Sequence, residues 1–154
     1  MPAARIFIDS AIFLYTRDRA EQAKGKIVER WLASLAEHGA GVTNLQVLNE
    51  LVSVISRKGQ RFADLDPFFE ADIAAIFGSA PLSSEAALAA RDLFLRYRYA
   101  WWDCLLLSSA IELGCSHFLS EDIQDGQRIS LSREQSLTLA NPFAHSPDDI
   151  LTQH

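Results

Sequence analysis

The stretch Tyr99-Ala-Trp-Trp-Asp-Cys-Leu-Leu-Leu-Ser-Ser-Ala-Ile-Glu-Leu-Gly-Cys-Ser-His-Phe-Leu-Ser-Glu-Asp-Ile-Gln-Asp-Gly126 predicts a helix, a stop, a short strand and an acidic loop. Residues 102–113 are nearly all apolar or small, and Gly114 is a typical residue just past a helix end. Residues 117–120 have the apolar character of a buried strand, and acids dominate the loop 121–126. The stretch therefore predicts a buried helix–strand unit that ends in carboxylates.

A carboxylate also lies inside the predicted helix, at Asp103. At 100° per residue it shares a face with Leu106, Leu107 and Ala110. A carboxylate on an apolar face is costly unless it has a partner, and a metal ion is one such partner. Asp103 also lies in the first turn, where a carboxylate can cap backbone N–H groups. From this helix alone, both interpretations remain open.

The rest of the chain alternates strands with helices, which predicts an α/β fold with a parallel sheet and helices on both faces. One helix is expected to begin with Asp66 as its cap and Pro67 at its first position. The predicted strands are 5–8, 42–43, 117–120, 127–131 and 136–143, and the predicted helices are 21–37, 45–57, 67–77, 85–98 and 102–113.

Composition limits the class of protein. The 154 residues suit one domain, and 49% hydrophobic with 22% charged residues is an ordinary globular mixture. No apolar run is long enough to cross a bilayer, and the N-terminus lacks a signal-peptide pattern, so we expect a cytoplasmic location with no membrane partner. The net charge of −6 argues against a non-specific nucleic-acid coat. Cys104 and Cys115 are expected to be reduced, since one helix would hold them about 16 Å apart.

Several acids fall at predicted strand ends or helix starts, where parallel strands bring their carboxyl ends together. Carboxylates gathered there repel one another and raise each other's pKa unless a divalent cation neutralises them. Oxygen ligands without His or Cys suit Mg²⁺ or Mn²⁺, ions that activate water for phosphoryl chemistry. The acids of this predicted set are Asp9, Glu50, Asp103, Asp122 and Asp125.

Two of these acids have simpler explanations. Asp9 or Ser10 can serve only as the cap of the turn that follows the first strand. Glu50 can form a rim ion pair with Arg57, which lies on the same side of the predicted helix.

Five segments of the chain resemble one family in the order that the family has them, and they cover nearly the whole chain. They include Gln46-Val-Leu-Asn-Glu50 and Ser120-Glu-Asp122. The segments are 7–15, 44–51, 101–115, 118–127 and 141–143. On these residues the chain resembles the PIN domain and, within it, the VapC-like toxin ribonucleases of bacterial type II toxin–antitoxin systems.

The resemblance implies a three-layer α/β sandwich whose acids bind one or two Mg²⁺ or Mn²⁺ ions to hydrolyse RNA. It assigns Asp9 and Asp103 as the principal metal ligands and Glu50 as a third acid that holds metal or positions water. Asp122 corresponds to the fourth acid, and Asp125 to a residue that holds a water or second ion.

The resemblance also implies a homodimer and a small antitoxin protein that blocks the acidic cleft. We expect a PIN-like nuclease domain over residues 1–144, and the polar, acidic composition of residues 145–154 predicts a C-terminal tail ordered only by packing on a partner. One position departs from the family pattern: Ala11 replaces the usual Asn or Ser, and Ser10 is the candidate for supplying a hydroxyl instead.

Basic side chains around the acidic centre are the candidates for contacting the RNA backbone. They are Arg57, Lys58, Arg61, Arg91, Arg96 and Arg98. The alternative function is a catalytically silent PIN-like module that binds RNA or protein. A haloacid-dehalogenase-type phosphatase is disfavoured, because it needs a second Asp two positions after the first, where this chain has Ala11.

Overall fold

The structure is a computed structural model that describes residues 4–62 and 69–151. A mostly parallel sheet forms its centre. In this part of the chain its strand order is β2-β1-β3-β5-β4. The strands are β1 (Ile6–Ile8), β2 (Gly41–Val42), β3 (His117–Leu119), β4 (Arg128–Ser130) and β5 (Ser136–Ala140). The predicted α/β sandwich is confirmed.

The edge strand β4 departs from the parallel arrangement. It pairs antiparallel with β5, whereas β1, β2, β3 and β5 are joined by parallel pairings. Only residues 131–135 connect β4 to β5. A connection this short permits an antiparallel hairpin and is too short for a parallel crossover.

The helices flank the sheet and follow the predicted pattern closely. They are α1 (Ser10–Tyr15), α2 (Gln22–Glu37), α3 (Leu45–Lys58), α4 (Phe69–Phe77), α5 (Ser84–Tyr97), α6 (Trp101–Glu112) and α7 (Pro147–Leu151). Asn44 and Ser83 cap α3 and α5, each accepting a hydrogen bond of 3.0 Å from the backbone N–H three residues on. The predicted helix start at Asp66 and Pro67 lies outside the described residues.

The inner strands are buried on both faces, which is typical of parallel strands between helical layers. Every residue of β1 is fully buried. Phe7 of β1 stacks on Phe118 of β3, with ring centroids 5.2 Å apart. Cys104 and Cys115 are both buried and free, as expected. No helix within residues 4–62 or 69–151 is long and apolar enough to cross a membrane.

The C-terminal residues differ from the expectation of a tail that packs on a partner. Helix α7 lies against α2 of the same chain, and Ile150 is buried in the core. Close by, the indole N–H of Trp31 in α2 donates a hydrogen bond of 2.9 Å to the carbonyl of Pro142. Apolar burial thus orders residues 147–151, and the domain boundary at residue 144 stays a prediction.

Candidate active site

Asp9 lies directly after β1, at the carboxyl end of the sheet. One carboxylate oxygen accepts a hydrogen bond of 2.7 Å from the backbone N–H of Ser10, so Asp9 is the N-cap of α1. The other oxygen accepts from the Ser120 hydroxyl at 3.2 Å. Because β1 and β3 are parallel neighbours, Ser120 just past β3 reaches the residue just past β1. Asp9 therefore caps α1, and it also lies close enough to Glu50 and Asp103 for their charges to act on it.

The carboxylates of Asp9, Glu50 and Asp103 act on one another electrostatically. The pKa of Asp9 is raised to about 7, chiefly by burial; the hydrogen bonds from Ser10 and Ser120 oppose this rise, and the charges of Glu50 and Asp103 add to it. Burial also raises the pKa of Asp103, with further increases from Glu50 and Asp122. Four acids from four segments of the chain therefore share one electrostatic environment.

Asp103 is not the N-cap of α6. That position belongs to Ala100, which offers no capping side chain, and Asp103 lies three residues further on, within the first turn. At this position Asp103 is half-buried. The N-cap interpretation is therefore wrong, and the carboxylate is left to interact with Glu50 and Asp122.

Glu50 is exposed on α3 near the start of α6. Among the described residues, the suggested rim ion pair with Arg57 does not form: the Arg57 guanidinium donates instead to the carbonyl of Ser53 at 3.3 Å. Glu50 therefore keeps its carboxylate beside Asp9 and Asp103 with no cationic partner in the part of the chain that the structure describes.

Two polar residues, Asn44 and Ser120, help to hold the segments of these acids together. The buried Asn44 caps α3 and also donates to the Ser109 hydroxyl of α6 at 2.9 Å, which joins the helices of Glu50 and Asp103. Ser120 donates to Asp9 and accepts from the backbone N–H of Asp122 at 3.3 Å. A small polar residue at a strand end is the signal that marks Ser120, but its partners are visible only in the fold.

The acids of the loop after β3 differ in whether other side chains bind them. Lys24 forms an ion pair of 2.6 Å with Glu121, which also accepts from the Tyr15 hydroxyl. Burial alone would raise the pKa of Glu121, but the hydrogen bonds from Lys24 and Tyr15 outweigh it and hold that pKa below its usual range.

Asp125 also has partners of its own. It accepts from the backbone N–H of Asn141 and from His145, each at 2.9 Å, and these lower the pKa of Asp125. Within this loop, Asp122 is the acid whose charge acts on Asp103. The predicted role of Asp125 at a second ion remains a prediction.

The predicted RNA-contacting side chains are unevenly available. Arg61 is paired with the buried Asp18 at 2.8 Å, and Arg96 donates to the carbonyl of Ser130 at 2.6 Å. The others are exposed at the end of α3 and along α5, although Arg57 donates to the Ser53 carbonyl, and their role stays a prediction. These are Arg57, Lys58, Arg91 and Arg98.

The donor set fits a hard divalent cation by its chemistry. Within residues 4–62 and 69–151, no three His, Cys, Asp or Glu side chains are arranged to hold an ion together. Mg²⁺ commonly uses only one or two carboxylates and keeps several waters. Asp9 and Asp103 suit that mode, because each carries a carboxylate whose charge a cation would stabilise. Ser10 gives Asp9 its backbone N–H, and the predicted contribution of its hydroxyl remains untested.

Two solved structures share this fold. VapC20 from Mycobacterium tuberculosis, described as a toxin that cleaves the sarcin–ricin loop, has 16% identity and a TM-score of 0.56, over 73% of this chain and 86% of that one. VapBC2 from Rickettsia felis, described as bound to a DNA fragment from its promoter, has 17% identity and a TM-score of 0.57, over 88% and 97%.

Sequence comparison identifies the family. No curated protein sequence matches the chain. The family model of the PIN domain, however, matches residues 6–125, which include Asp9, Glu50, Asp103 and Asp122. The chain therefore belongs to the PIN-domain family.

Proposed function

We propose that this protein is a metal-dependent endoribonuclease that hydrolyses RNA phosphodiester bonds as the toxin of a toxin–antitoxin pair. The observation that carries the proposal is the set of mutually repelling carboxylates at the carboxyl end of the sheet: Asp9, Glu50, Asp103 and Asp122. Membership of the PIN-domain family and the fold shared with a toxin described as cleaving the sarcin–ricin loop support it.

The residues of the site divide the work of hydrolysis. Asp9 and Asp103 would hold Mg²⁺ or Mn²⁺, one or two ions, and a bound ion supplies an activated water and stabilises charge on the phosphoryl oxygens. Ser120 fixes the orientation of the Asp9 carboxylate through a hydrogen bond from its hydroxyl to Oδ2. Glu50 would hold metal or position the attacking water by accepting a hydrogen bond from it, and Asp122 adds negative charge beside Asp103.

The proposal includes partners and a location. A small antitoxin would cover the acidic cleft, and the shared fold with VapBC2 of Rickettsia felis is compatible with such a partner. The homodimer and the cytoplasmic location predicted from the sequence are part of the same proposal, as is the nuclease domain over residues 1–144.

The first test is cleavage of total RNA by the purified, antitoxin-free protein with Mg²⁺ or Mn²⁺. We expect discrete, metal-dependent cuts, reduced roughly 10²-fold or more in Asp9→Asn and Asp103→Asn. Glu121→Gln is the matched control, because its carboxylate belongs to the same acidic region but is held by Lys24 and Tyr15. That variant should cleave within a few-fold of the wild type.

Cleavage that survives in Asp103→Asn would contradict the assignment of the site. A folded wild type that neither cleaves RNA nor binds Mn²⁺ would instead support the silent binding module. Calorimetric titration with Mn²⁺ makes that distinction without requiring the correct RNA.

A further inference from the structure

A cleft between α3 and α6 opens beside the carboxylates. Its volume is about 370 Å³, within the range of roughly 300–1,000 Å³ that is typical of small-ligand sites. The α3 residues that line it are three or four positions apart and therefore share one helical face. The lining residues are Gln46, Asn49, Glu50, Ser53, Trp102 and Leu106.

Trp102 lies in this cleft and directly precedes Asp103. Its side chain is 64% exposed, and among the described residues its indole has neither a ring partner nor a hydrogen bond. The other two tryptophans are engaged: Trp31 is buried and bonded to Pro142, and Trp101 packs edge-on against Phe94. A single exposed apolar side chain is ordinary. An unpartnered indole in a cleft that also carries amide groups, next to catalytic candidates, is a stacking surface.

The polar groups of the cleft suit the edge of a nucleobase. Gln46 and Asn49 each carry an amide that can donate and accept, which is the pairing that base edges require. No Lys or Arg among the described residues lines the cleft, so it offers a phosphate no cationic partner. Its single charge, Glu50, repels anions and leaves a neutral base as the suitable occupant of this part of an RNA.

We propose that this cleft binds one unpaired RNA base, stacked on the indole of Trp102 and hydrogen-bonded by Gln46 and Asn49. The inference rests on the proposed nuclease function and assigns to Trp102, Gln46 and Asn49 the part of the site that receives the base beside the cut. A base inside a duplex cannot reach the indole without leaving its stack. Gln46 and Asn49 then determine which base is accepted.

Binding is measured first, without cleavage. Wild-type protein in EDTA is titrated with short single-stranded RNA of mixed sequence, and with the same RNA annealed to its complement, while tryptophan fluorescence is recorded. We expect quenching by the single strand and not by the duplex. Trp102→Ala should bind roughly 5- to 100-fold more weakly and lose the quenching, and Trp102→Phe should retain part of the affinity. Trp101→Phe is the matched control and should resemble the wild type.

The second measurement is the sequence at the cut sites in total RNA. Gln46→Ala and Asn49→Ala should relax the base preference beside the cut while cleavage continues. Unfolding midpoints of all variants confirm that each is folded, which is expected because these side chains are at the surface.

Unchanged RNA affinity in Trp102→Ala would overturn the inference. Metal-dependent cleavage without quenching would also overturn it and leave the nuclease proposal standing. Quenching by single-stranded RNA with no cleavage under any metal would support the base site and count against the nuclease.

Discussion

At the scale of the residue, hydrogen-bond partners separate the acids available for chemistry from those that hold the structure. Glu121 and Asp125 are bound by Lys24 and His145, whereas the charges that act on Asp103, in the part of the chain that the structure describes, are those of Glu50 and Asp122. Sequence spacing placed all the acids of this loop together, because it shows the order of side chains and not their partners from other segments. Asp9 combines both roles, as a helix cap and as a member of the acidic set.

The pKa of Asp9 predicts how the metal-free protein responds to pH. Burial raises that pKa from 3.8 to about 7, so between these values the folded protein holds a proton that the unfolded chain has released. The free energy of unfolding should therefore fall as pH rises through this window. We expect a loss of roughly 2–3 kcal/mol between about pH 5 and about pH 8 in EDTA, measured by urea unfolding.

Asp9→Asn tests the cause of this dependence. Asparagine keeps an oxygen to accept from the Ser10 N–H but cannot ionise, so the variant should show a flatter pH profile and exceed wild-type stability at the alkaline end. An equal pH slope in the variant and the wild type would show that another group is responsible.

At the scale of the element, Asn44 fixes the position of α3 relative to α6. Its side chain caps α3 and reaches across to Ser109, which fixes the helix of Glu50 against the helix of Asp103. The cap itself follows from local sequence, since an Asn before an apolar helix is a common start signal. The bond to Ser109 joins residues 65 positions apart and depends on how the two helices pack.

We expect Asn44→Ala to lower the free energy of unfolding by roughly 2–3 kcal/mol, because it removes a cap and leaves the buried Ser109 hydroxyl without this partner. Ser83→Ala is the control: it removes the corresponding cap of α5, which carries none of the four acids, and should cost about 1 kcal/mol. Urea unfolding gives both values, and RNA cleavage should fall in Asn44→Ala alone. Equal effects of the two variants on cleavage would mean that Asn44 does not position the site.

At the scale of the whole molecule, strand order creates the site. Parallel pairing of β1 with β3 places Asp9 beside the loop of Asp122, although more than a hundred residues separate them. The C-terminal helix α7 completes the core from the other end of the chain by covering α2.

The contribution of α7 can be measured with Ile150→Ala. Ile150 is 5% exposed and packs in the core, so truncation should lower the free energy of unfolding by roughly 2 kcal/mol or more. Leu88→Ala is the matched control, since Leu88 is 76% exposed and should change stability by less than about 0.5 kcal/mol. Unfolding of Ile150→Ala at the wild-type midpoint would show that α7 is not part of the folded unit.

Local signals carried much of the fold. The limits of α2, α3 and α5 follow from hydrophobic periodicity and from cap residues such as Asn44 and Ser83, which act on backbone groups only a few residues away. The parallel sheet follows from the alternation of strands and helices, and the candidate acids follow from their positions at element ends. These features depend on interactions within one turn or one strand, so the order of residues is sufficient to predict them.

The remaining features depend on which distant segments pack together. The antiparallel β4, the ion pair of Lys24 with Glu121, the bond of Asn44 to Ser109 and the cleft beside Trp102 all join parts of the chain that are separate in sequence or need a specific helix packing. Burial and charge at Asp9 likewise arise only once four segments converge. Local sequence therefore determined the helices and strands and the carboxylates at their ends. Tertiary packing decided which of these carboxylates lie near one another without a basic side chain as partner, and it formed the cleft beside them.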